Sequence, residues 1–352
     1  MTRKTIRNTK RKVTISDIAR ESDVSPATVS LVLRDKPGVG DDTRQRVWST
    51  AQSLGYVLPS KRNRVEQAAE TRHIGLVIKI NPDDVLPTAN HFYAHVLTGI
   101  EQVCRQQNSH LFYANLPVDE HNNPIEVPRL LAEENIDGLL LVGVHLDELL
   151  QTRLEHFGKP IVLVDGYATG NILDSVVTDN EQGAYDATVH LINKGHTRIA
   201  FIGSEVNAFA SILERRSGYL NAMAQHALPP LLADSTLHTA AAVKAAHKIL
   251  KSHPDISAFV AANDELAVAV MKALQESGRN IPADISLIGF DNILLAQHVT
   301  PALTTMRVDK MGMGRLAAQL LFNRIAYANS AEVHAIIRPH LLERDSVSER
   351  NG

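Results

Sequence analysis

Short runs rich in β-branched and other apolar residues, at 74–80, 111–115, 138–143, 160–164, 198–202, 257–261 and 285–290, alternate with longer stretches of helical periodicity across residues 73–290. This alternation constrains the fold more than any other feature of the chain. Strands separated by helices cannot close as hairpins; they pair in parallel, with helices covering both faces of the sheet, and the length suits two such lobes. Ligands of parallel sheets bind beyond the carboxyl ends of the strands. Those ends carry His145, Asp165 and Gly166 in the first lobe, then Ser204, Asn263, Asp264, Asp291 and Asn292 in the second. They are hydrogen-bonding groups and not a metal set. Carboxylates and amides facing one another across a cleft suit a neutral polyhydroxylated ligand, because each hydroxyl donates to Asp and accepts from Asn or Arg. For Asn263 and Asp291 a second role stays open, the capping of the helices that follow them.

The chain has 352 residues, 44% hydrophobic and 21% charged, enough for a small module beside a larger body with a sizeable core. Its longest apolar runs, such as 138–144, fall far short of the ~20 residues of a membrane span. The basic start MTRKTIRNTKRK precedes no apolar segment, so neither signal peptide nor anchor is expected and the chain is read as cytoplasmic. Cys104, the one cysteine, sits at helical spacing from Ile100 and Leu97 and is expected to be a small buried residue. The net charge of −3 hides an asymmetry. Residues 1–72 carry 15 Lys+Arg against 8 Asp+Glu, net +7, and the remaining 280 carry 21 against 31, net −10. A basic head on an acidic body points to a polyanion that meets only the head, since each cation placed on a phosphate releases counterions.

Residues 14–34 of that head, TISDIARESDVSPATVSLVLR, hold two short helical patterns broken by three or four residues, a helix-turn-helix. Ser16 is a candidate cap for the first helix, which carries Ile18 and Ala19 inward. Ser25 is one for the second, with Pro26 at the first helical position, where a missing N–H costs nothing. Val24, Val29 and Val32 complete a small core, and Asp23 occupies the turn position that calls for a left-handed backbone. A third helix is predicted from Asp41 or Asp42 as cap to Leu54, stopped by Gly55, with Trp48 structural, in the core or facing the backbone. If the second helix enters a major groove, Ala27, Thr28, Ser30, Leu31 and Arg34 face outward. Ser25 and Thr28 reach phosphates or base edges, Ala27 and Leu31 meet thymine methyls, and Arg34 is the long donor. Thr14, Ser16 and Pro26 complete the candidate DNA-facing set.

The head, TISDIARESDVSPATVSLVL…GVGDDTRQRVWSTAQSLGYV, resembles the N-terminal headpiece of the lactose-repressor/galactose-repressor (LacI/GalR) family of bacterial transcription factors. The similarity continues through HFYAHVLTGIEQ at 91–102, DGLLLVG at 137–143, KPIVLVD at 159–165, TDNEQGA at 178–184, NKGHTRIAFIG at 193–203, NDELAVAVMKALQESG at 263–278, IPADISLIGFDN at 281–292 and TPALTT at 300–305. The resemblance implies an α/β fold: a helix-turn-helix headpiece and a two-lobed, periplasmic-binding-protein-like body of two parallel, doubly wound sheets. The expected organisation is a headpiece at 1–58 with a basic arm at 1–11, a hinge linker at 59–72, and an effector-binding and dimerisation body at 73–346. Within the body the first lobe takes about 73–180 and 308–330, and the second about 181–307 and 331–346. By motif, Asp165, Asn263 and Asp291 match positions that contact effector in similar repressors, Phe92 and Tyr93 match an aromatic pair at the cleft mouth, and Arg215 matches a recurrent arginine three residues before a glycine. The arginine that often stands five residues before that glycine is Leu213 here. With His145 these form the candidate effector set.

In this family the linker forms a hinge helix on DNA, and a leucine seven residues after its proline wedges into the minor groove. Counting from Pro59 reaches Glu66, a carboxylate that cannot enter stacked bases beside phosphates without a large desolvation and repulsion cost. Three readings stay open: Val65 is the wedge, Leu58 is the wedge, or none forms and Lys61, Arg62 and Arg64 hold the DNA backbone. Two other motifs are declined. GMGRLA at 312–317 fits a dinucleotide fingerprint, but fewer than 40 residues remain and Asp309 explains a helix start there. His91 and His95 in HFYAH have metal-like spacing without a third ligand nearby. No phosphate loop, Cys-x-x-Cys pair or nucleophile elbow occurs, so neither cofactor, metal nor catalysis is expected. The reading is a ligand-responsive, sequence-specific transcriptional regulator, a repressor of carbohydrate-related genes. It binds a pseudo-palindromic operator in double-stranded DNA as a homodimer, takes a sugar or sugar derivative as effector, and has no membrane partner. The rivals are a sugar-transport binding protein, for which the helix-turn-helix has no use, and a sugar- or nucleotide-handling enzyme.

Overall fold

A computed structural model describes residues 13–33, 36, 38–54, 56, 71–80, 91–119, 124–146, 148–168, 173–205 and 209–350. The chain divides into two compact units, Met1–Glu70 and Thr71–Gly352.

In the first unit α1 (Ile15–Glu21), α2 (Pro26–Leu33) and α3 (Asp41–Ser53) close around Ile18, Ala19, Val29, Val32, Val47 and Ala51, with Val24 half-buried beside them. Ser25 caps α2 by accepting from the Thr28 N–H at 3.0 Å, and Asp23 has φ 51, as their positions require. The cap of α1 is not Ser16. Thr14 accepts from the Asp17 N–H at 3.3 Å while the Asp17 carboxylate takes the Thr14 N–H at 2.9 Å, a reciprocal box that satisfies two orphan donors. Ser16 falls inside the first turn, exposed. Nor do Asp41 and Asp42 cap α3. The cap residue is Gly40, and the two acids lie in the first turn, where they favour the positive end of the helix dipole. Trp48 is not in the core but 42% exposed, because Val47 and Ala51, four apart, already fill the buried stripe of α3 and Trp48 lies about 100° around from it. Gly55 lies outside the described residues.

The second unit opens with β1 (His73–Ile80), α4 (His91–Gln106), β2 (His110–Pro117), β3 (Gly138–Val142), β4 (His145–Leu146), α5 (Glu148–Phe157), β5 (Ile161–Val164), β6 (Tyr167–Ala168) and β7 (Asp174–Thr178). It continues with α6 (Asn180–Asn193), β8 (Ile199–Ile202), α7 (Ala210–Gln225), β9 (Leu231–Ala233), α8 (Thr239–Ser252), β10 (Ala258–Ala261), α9 (Asp264–Glu276), β11 (Ser286–Asp291), β12 (Thr304–Arg307), α10 (Lys310–Ala326), β13 (His334–Ile337) and β14 (His340–Leu342). One six-stranded sheet has the order β13-β7-β5-β3-β1-β2 and is parallel throughout; the other, β14-β12-β11-β10-β8-β9, is parallel except for β14, and β4 and β6 pair separately as a small parallel ribbon. Strands such as β3 and β5 are buried at every residue, which is why they read as unbroken apolar runs.

The chain passes between the sheets at 178–180, 307–310 and 337–340. The third passage corrects the expected boundary at 331. His334–Ile337 pairs with β7 in the first sheet, held there by Arg324, which grips Asp174 at 2.8 Å with two nitrogens while Asp174 also accepts from the Val333 N–H at 2.7 Å. The glycines of GMGRLA serve helix packing. A Cβ on Gly314 would run into the α4 backbone at Val96, and one on Gly99 into the α10 backbone at Met311, so α4 and α10 touch along their main chains. Asp309 caps α10 through the Gly312 N–H at 2.8 Å. His95 Nδ1 lies 3.1 Å from the His91 carbonyl, and Cys104 is buried.

Candidate functional site

A cavity of about 400 Å³ lies beyond the carboxyl ends of both sheets. Phe92, Tyr93, His145, Asp165, Arg215, Asn263 and Asp291 all line it, so every candidate effector residue converges on one space. Their roles differ. Tyr93 is buried and is no mouth residue; its hydroxyl donates to Asp165 Oδ2 at 3.0 Å and fixes that carboxylate. The fit depends on Gly143, whose φ is 68 and whose place a Cβ would take only by colliding with the Tyr93 ring. Asn263 lines the cavity and takes the capping role that the sequence left open for it. Its Oδ1 caps α9 by accepting from the Leu266 N–H at 2.9 Å. Asp291 caps nothing. It accepts from Arg215 Nη2 at 3.0 Å, and its main-chain carbonyl accepts from Lys310.

Arg215 organises this wall. Only 5% exposed, it donates to Asn180 Oδ1 at 2.8 Å, to the Ala262 carbonyl at 2.6 Å and to Asp291, and lies 3.8 Å over the Phe290 ring. A planar guanidinium with several donors holds three acceptors at fixed angles, which a lysine cannot do. Asp264 lines the cavity yet is fully buried, accepting from Thr305 Oγ1 at 2.6 Å and from the Ile293 N–H at 2.8 Å, so it pins the turn after Asp291. Of the other strand-end residues, Ser204 and Asn292 do not line the space; Asn292 accepts from Arg344 at 2.7 Å.

Burial dominates the electrostatics. It raises the Asp165 carboxyl to about 6, against the lowering influence of Arg215 and of the Tyr93 hydrogen bond, and raises Asp264 to about 7, with the Asp291 charge adding to the effect. Asp291 is raised by burial and held down by Arg215 and Lys310. Asp165 and Asp291 both sit in left-handed backbone, with φ 50 and 104, a costly conformation for non-glycine residues that concentrates at ligand sites.

Several cavity residues escaped the sequence reading. Lys79 lies at the end of an otherwise apolar strand, where its charge was the available signal. Tyr167 donates to Glu214 at 2.7 Å, linking β6 of the first lobe to α7 of the second; only the fold brings them together. In the headpiece, Ser25, Pro26, Ala27 and Leu31 are exposed on α2 and Thr28 and Ser30 are half-buried, while the Ser25 and Thr28 hydroxyls bond each other at 2.8 Å. Arg34, Lys61, Arg62 and Arg64 lie outside the described residues, as do Leu58, Val65 and Glu66. Among the described residues no group of three His, Cys, Asp or Glu is placed to hold a metal, and no helix is long and apolar enough to cross a membrane.

A helix-turn-helix unit and a two-lobed α/β body with a polar interlobe cavity define a DNA-binding regulator that responds to a ligand. Comparison with known proteins places it more closely. Residues 14–60 match the family of bacterial regulatory proteins of the lacI type, and residues 188–347 match the periplasmic binding protein-like domain. The chain is 32% identical over 338 residues to the HTH-type transcriptional repressor PurR of Aliivibrio salmonicida, covering 95% of this chain and 98% of that protein, and 34% identical over 343 residues to PurR of Aliivibrio fischeri strain MJ11, covering 96% and 99%. Among solved structures it is similar to the transcriptional regulator CelR in complex with cellobiose, with TM-score 0.68, 28% identity and coverage of 95% and 100%. The lac repressor dimer bound to operator shares the fold, with TM-score 0.66, 19% identity and coverage of 96% and 100%. The chain belongs to the lacI family of transcriptional repressors.

Proposed function

We propose that the repressor binds a pseudo-palindromic operator as a homodimer, reads it with α2, and is controlled by a sugar or sugar derivative held between the lobes. It is a regulator and not an enzyme, it needs neither cofactor nor metal, and it works in the cytoplasm beside its DNA. The carrying observation is the cavity, where Asp165 from one lobe faces Arg215, Asn263 and Asp291 from the other, a set suited to donating and accepting hydroxyls. A similar LacI-family regulator of Enterococcus faecium, with TM-score 0.68, 26% identity and coverage of 80% of this chain and all of that one, has been solved with ribose bound. The homodimer is supported by large apolar side chains left exposed on the body, Phe112 and Tyr113 on β2 and Leu294 and Leu295 after β11.

Ligand that spans the cavity favours one angle between the lobes and shifts the equilibrium only by its differential affinity for the two states. Calorimetric titration with ribose and cellobiose, chosen from the similar structures, and with further sugars tests the site. Asp291→Ala is expected to lower affinity tenfold or more, since an unmet ligand hydroxyl costs about 1–3 kcal/mol. Unchanged affinity in a folded variant refutes it. For the headpiece, removal of residues 1–72 is expected to abolish sequence-specific gel shift at physiological salt.

A further inference from the structure

We infer that the small β4–β6 ribbon is a reversible latch between the lobes, in which the Tyr167 hydroxyl on the ribbon and the Glu214 carboxylate on α7 together set the interlobe angle. Glu214, which does not line the cavity, is then a positioning residue and not a ligand contact. This rests on the proposed control of the repressor through that angle and names the contact that sets it.

The ribbon belongs to neither main sheet. Its strands extend the chain beyond β3 and β5, pairing His145 with Tyr167, and the Tyr167 N–H donates to the Val144 carbonyl at 3.2 Å. Tyr167 is half-buried and lines the cavity, and its hydroxyl donates to Glu214 Oε2 at 2.7 Å, a bond from the first lobe to the second. Burial, helped by the charges of Asp165 and Glu214, pushes the phenol well above its ordinary range, so the hydroxyl keeps its proton and stays the donor. A short hydrogen bond to a carboxylate is among the stronger kinds. The same Glu214 oxygen accepts from Asn180 Nδ2 at 3.1 Å, and that nitrogen also reaches the Tyr167 oxygen and the Thr178 carbonyl, each at 3.2 Å. Asn180 is buried in the passage 178–180, so the latch closes beside one of the crossings between the sheets.

Two features make this contact a latch and not a fixed strut. First, it opens without stranding a charge. Glu214 keeps the Asn180 amide when Tyr167 leaves, and because both partners are half-buried water can replace the lost bond, so release costs little more than one hydrogen bond. Second, each end is tied to a candidate effector residue. Tyr167 follows Asp165 by two residues, so a ligand that moves the Asp165 carboxylate also moves the ribbon. Glu214 precedes Arg215 on α7, and Asn180 spans the two, with its amide nitrogen on Glu214 and its Oδ1 on Arg215 Nε at 2.8 Å. Arg215 in turn holds Asp291 at 3.0 Å. Ligand contacts on Asp165 and Asp291 therefore bias whether the latch is made, which gives a ligand differential affinity for two lobe angles.

The test needs no effector. Spin labels on Glu155→Cys in α5 and Lys248→Cys in α8, both exposed positions, in a Cys104→Ala background report the distance between the lobes by pulsed electron–electron resonance. The full-length labelled chain is diluted with unlabelled chain so that pairs within one protomer are read. Tyr167→Phe removes only the hydroxyl, and Glu214→Ala removes the carboxylate. Each is expected to move population from the parent distance to a second one, changing the ratio of the two about tenfold, as the loss of one hydrogen bond to a charged group requires. The double variant is expected to go no further than either single one, because both remove the same bond. Melting curves establish that each variant is folded, and Tyr167→Phe, the milder change, decides the matter if Glu214→Ala is not. A parent-like distance distribution in folded Tyr167→Phe, or additive shifts in the double variant, overturns the inference. The measurement is made without ligand, so its failure stands apart from that of the effector site, which is read by calorimetry as unchanged affinity in Asp291→Ala.

Discussion

Replacing Arg215 by Met probes how the second lobe is held together. The substitution removes three hydrogen bonds, to Asn180, Ala262 and Asp291, and leaves the buried Asp291 carboxylate with Lys310 as its remaining counter-charge. Hydrogen bonds to charged groups contribute about 1.5–3 kcal/mol each, but those terms overlap within one network, and breaking a buried pair from one side costs about 3–5 kcal/mol. We expect a loss of about 3–5 kcal/mol, a fall in melting temperature on the order of 10 °C for a body of this size. The single tryptophan, Trp48, lies in the headpiece, so its fluorescence reports that unit while far-UV circular dichroism is dominated by the body. The sign of the pH dependence follows from Asp291. Its carboxyl is already raised in the native state, and losing Arg215 raises it further, so the variant takes up a proton on folding over a wider window. Its deficit should therefore be largest near pH 8 and narrow toward about pH 5. Asp291→Asn in the Arg215→Met background should recover part of the loss by removing the stranded charge. A deficit under about 1 kcal/mol, or one flat across this range, or no recovery in the double variant would refute the reasoning.

Gly143→Ala should destabilise the body by about 1–3 kcal/mol, because it combines left-handed strain with a clash against Tyr93, and should weaken effector binding by freeing Asp165; an unchanged melting curve would contradict this. Ser25→Ala should cost the headpiece about 1 kcal/mol through the lost cap of α2, measured in urea by Trp48 fluorescence. Asp165, at about 6, and Asp264, at about 7, both lie above the unfolded value of about 3.9, so the native body binds more protons and their contribution to stability falls as pH rises through 6 and 7. Thermal melts of Asp264→Asn should show a shallower decline than the parent chain over that range, and a steeper one would count against the assignment.

Much of the protein is written locally. The parallel strands β1, β3, β5, β8, β10 and β11 follow from apolar runs that read the same whatever surrounds them, since both faces are covered. The turn at Asp23 and the cap at Ser25 are likewise short-range, their partners lying within a few residues. Strand-end logic located Asp165, Asn263 and Asp291 because topology alone sets where parallel strands finish. The tertiary structure decided the rest. Asp174 and Ser175 begin a strand whose polarity makes sense only once Arg324 and His334, about 150 residues later, supply partners, and those contacts also moved the last lobe boundary to 337–340. Trp48 is exposed because α1 and α2 pack on the Val47–Ala51 stripe of α3, a choice of face that the helix by itself does not reveal. Above all, Lys79 with Phe209 and Tyr167 with Glu214 are pairs 130 and 47 residues apart whose meeting depends on how two separately wound sheets face each other. Local periodicity encodes which element forms and which side is buried. The chemistry of a cleft depends on which distant ends converge, a long-range property that no window of neighbouring residues contains.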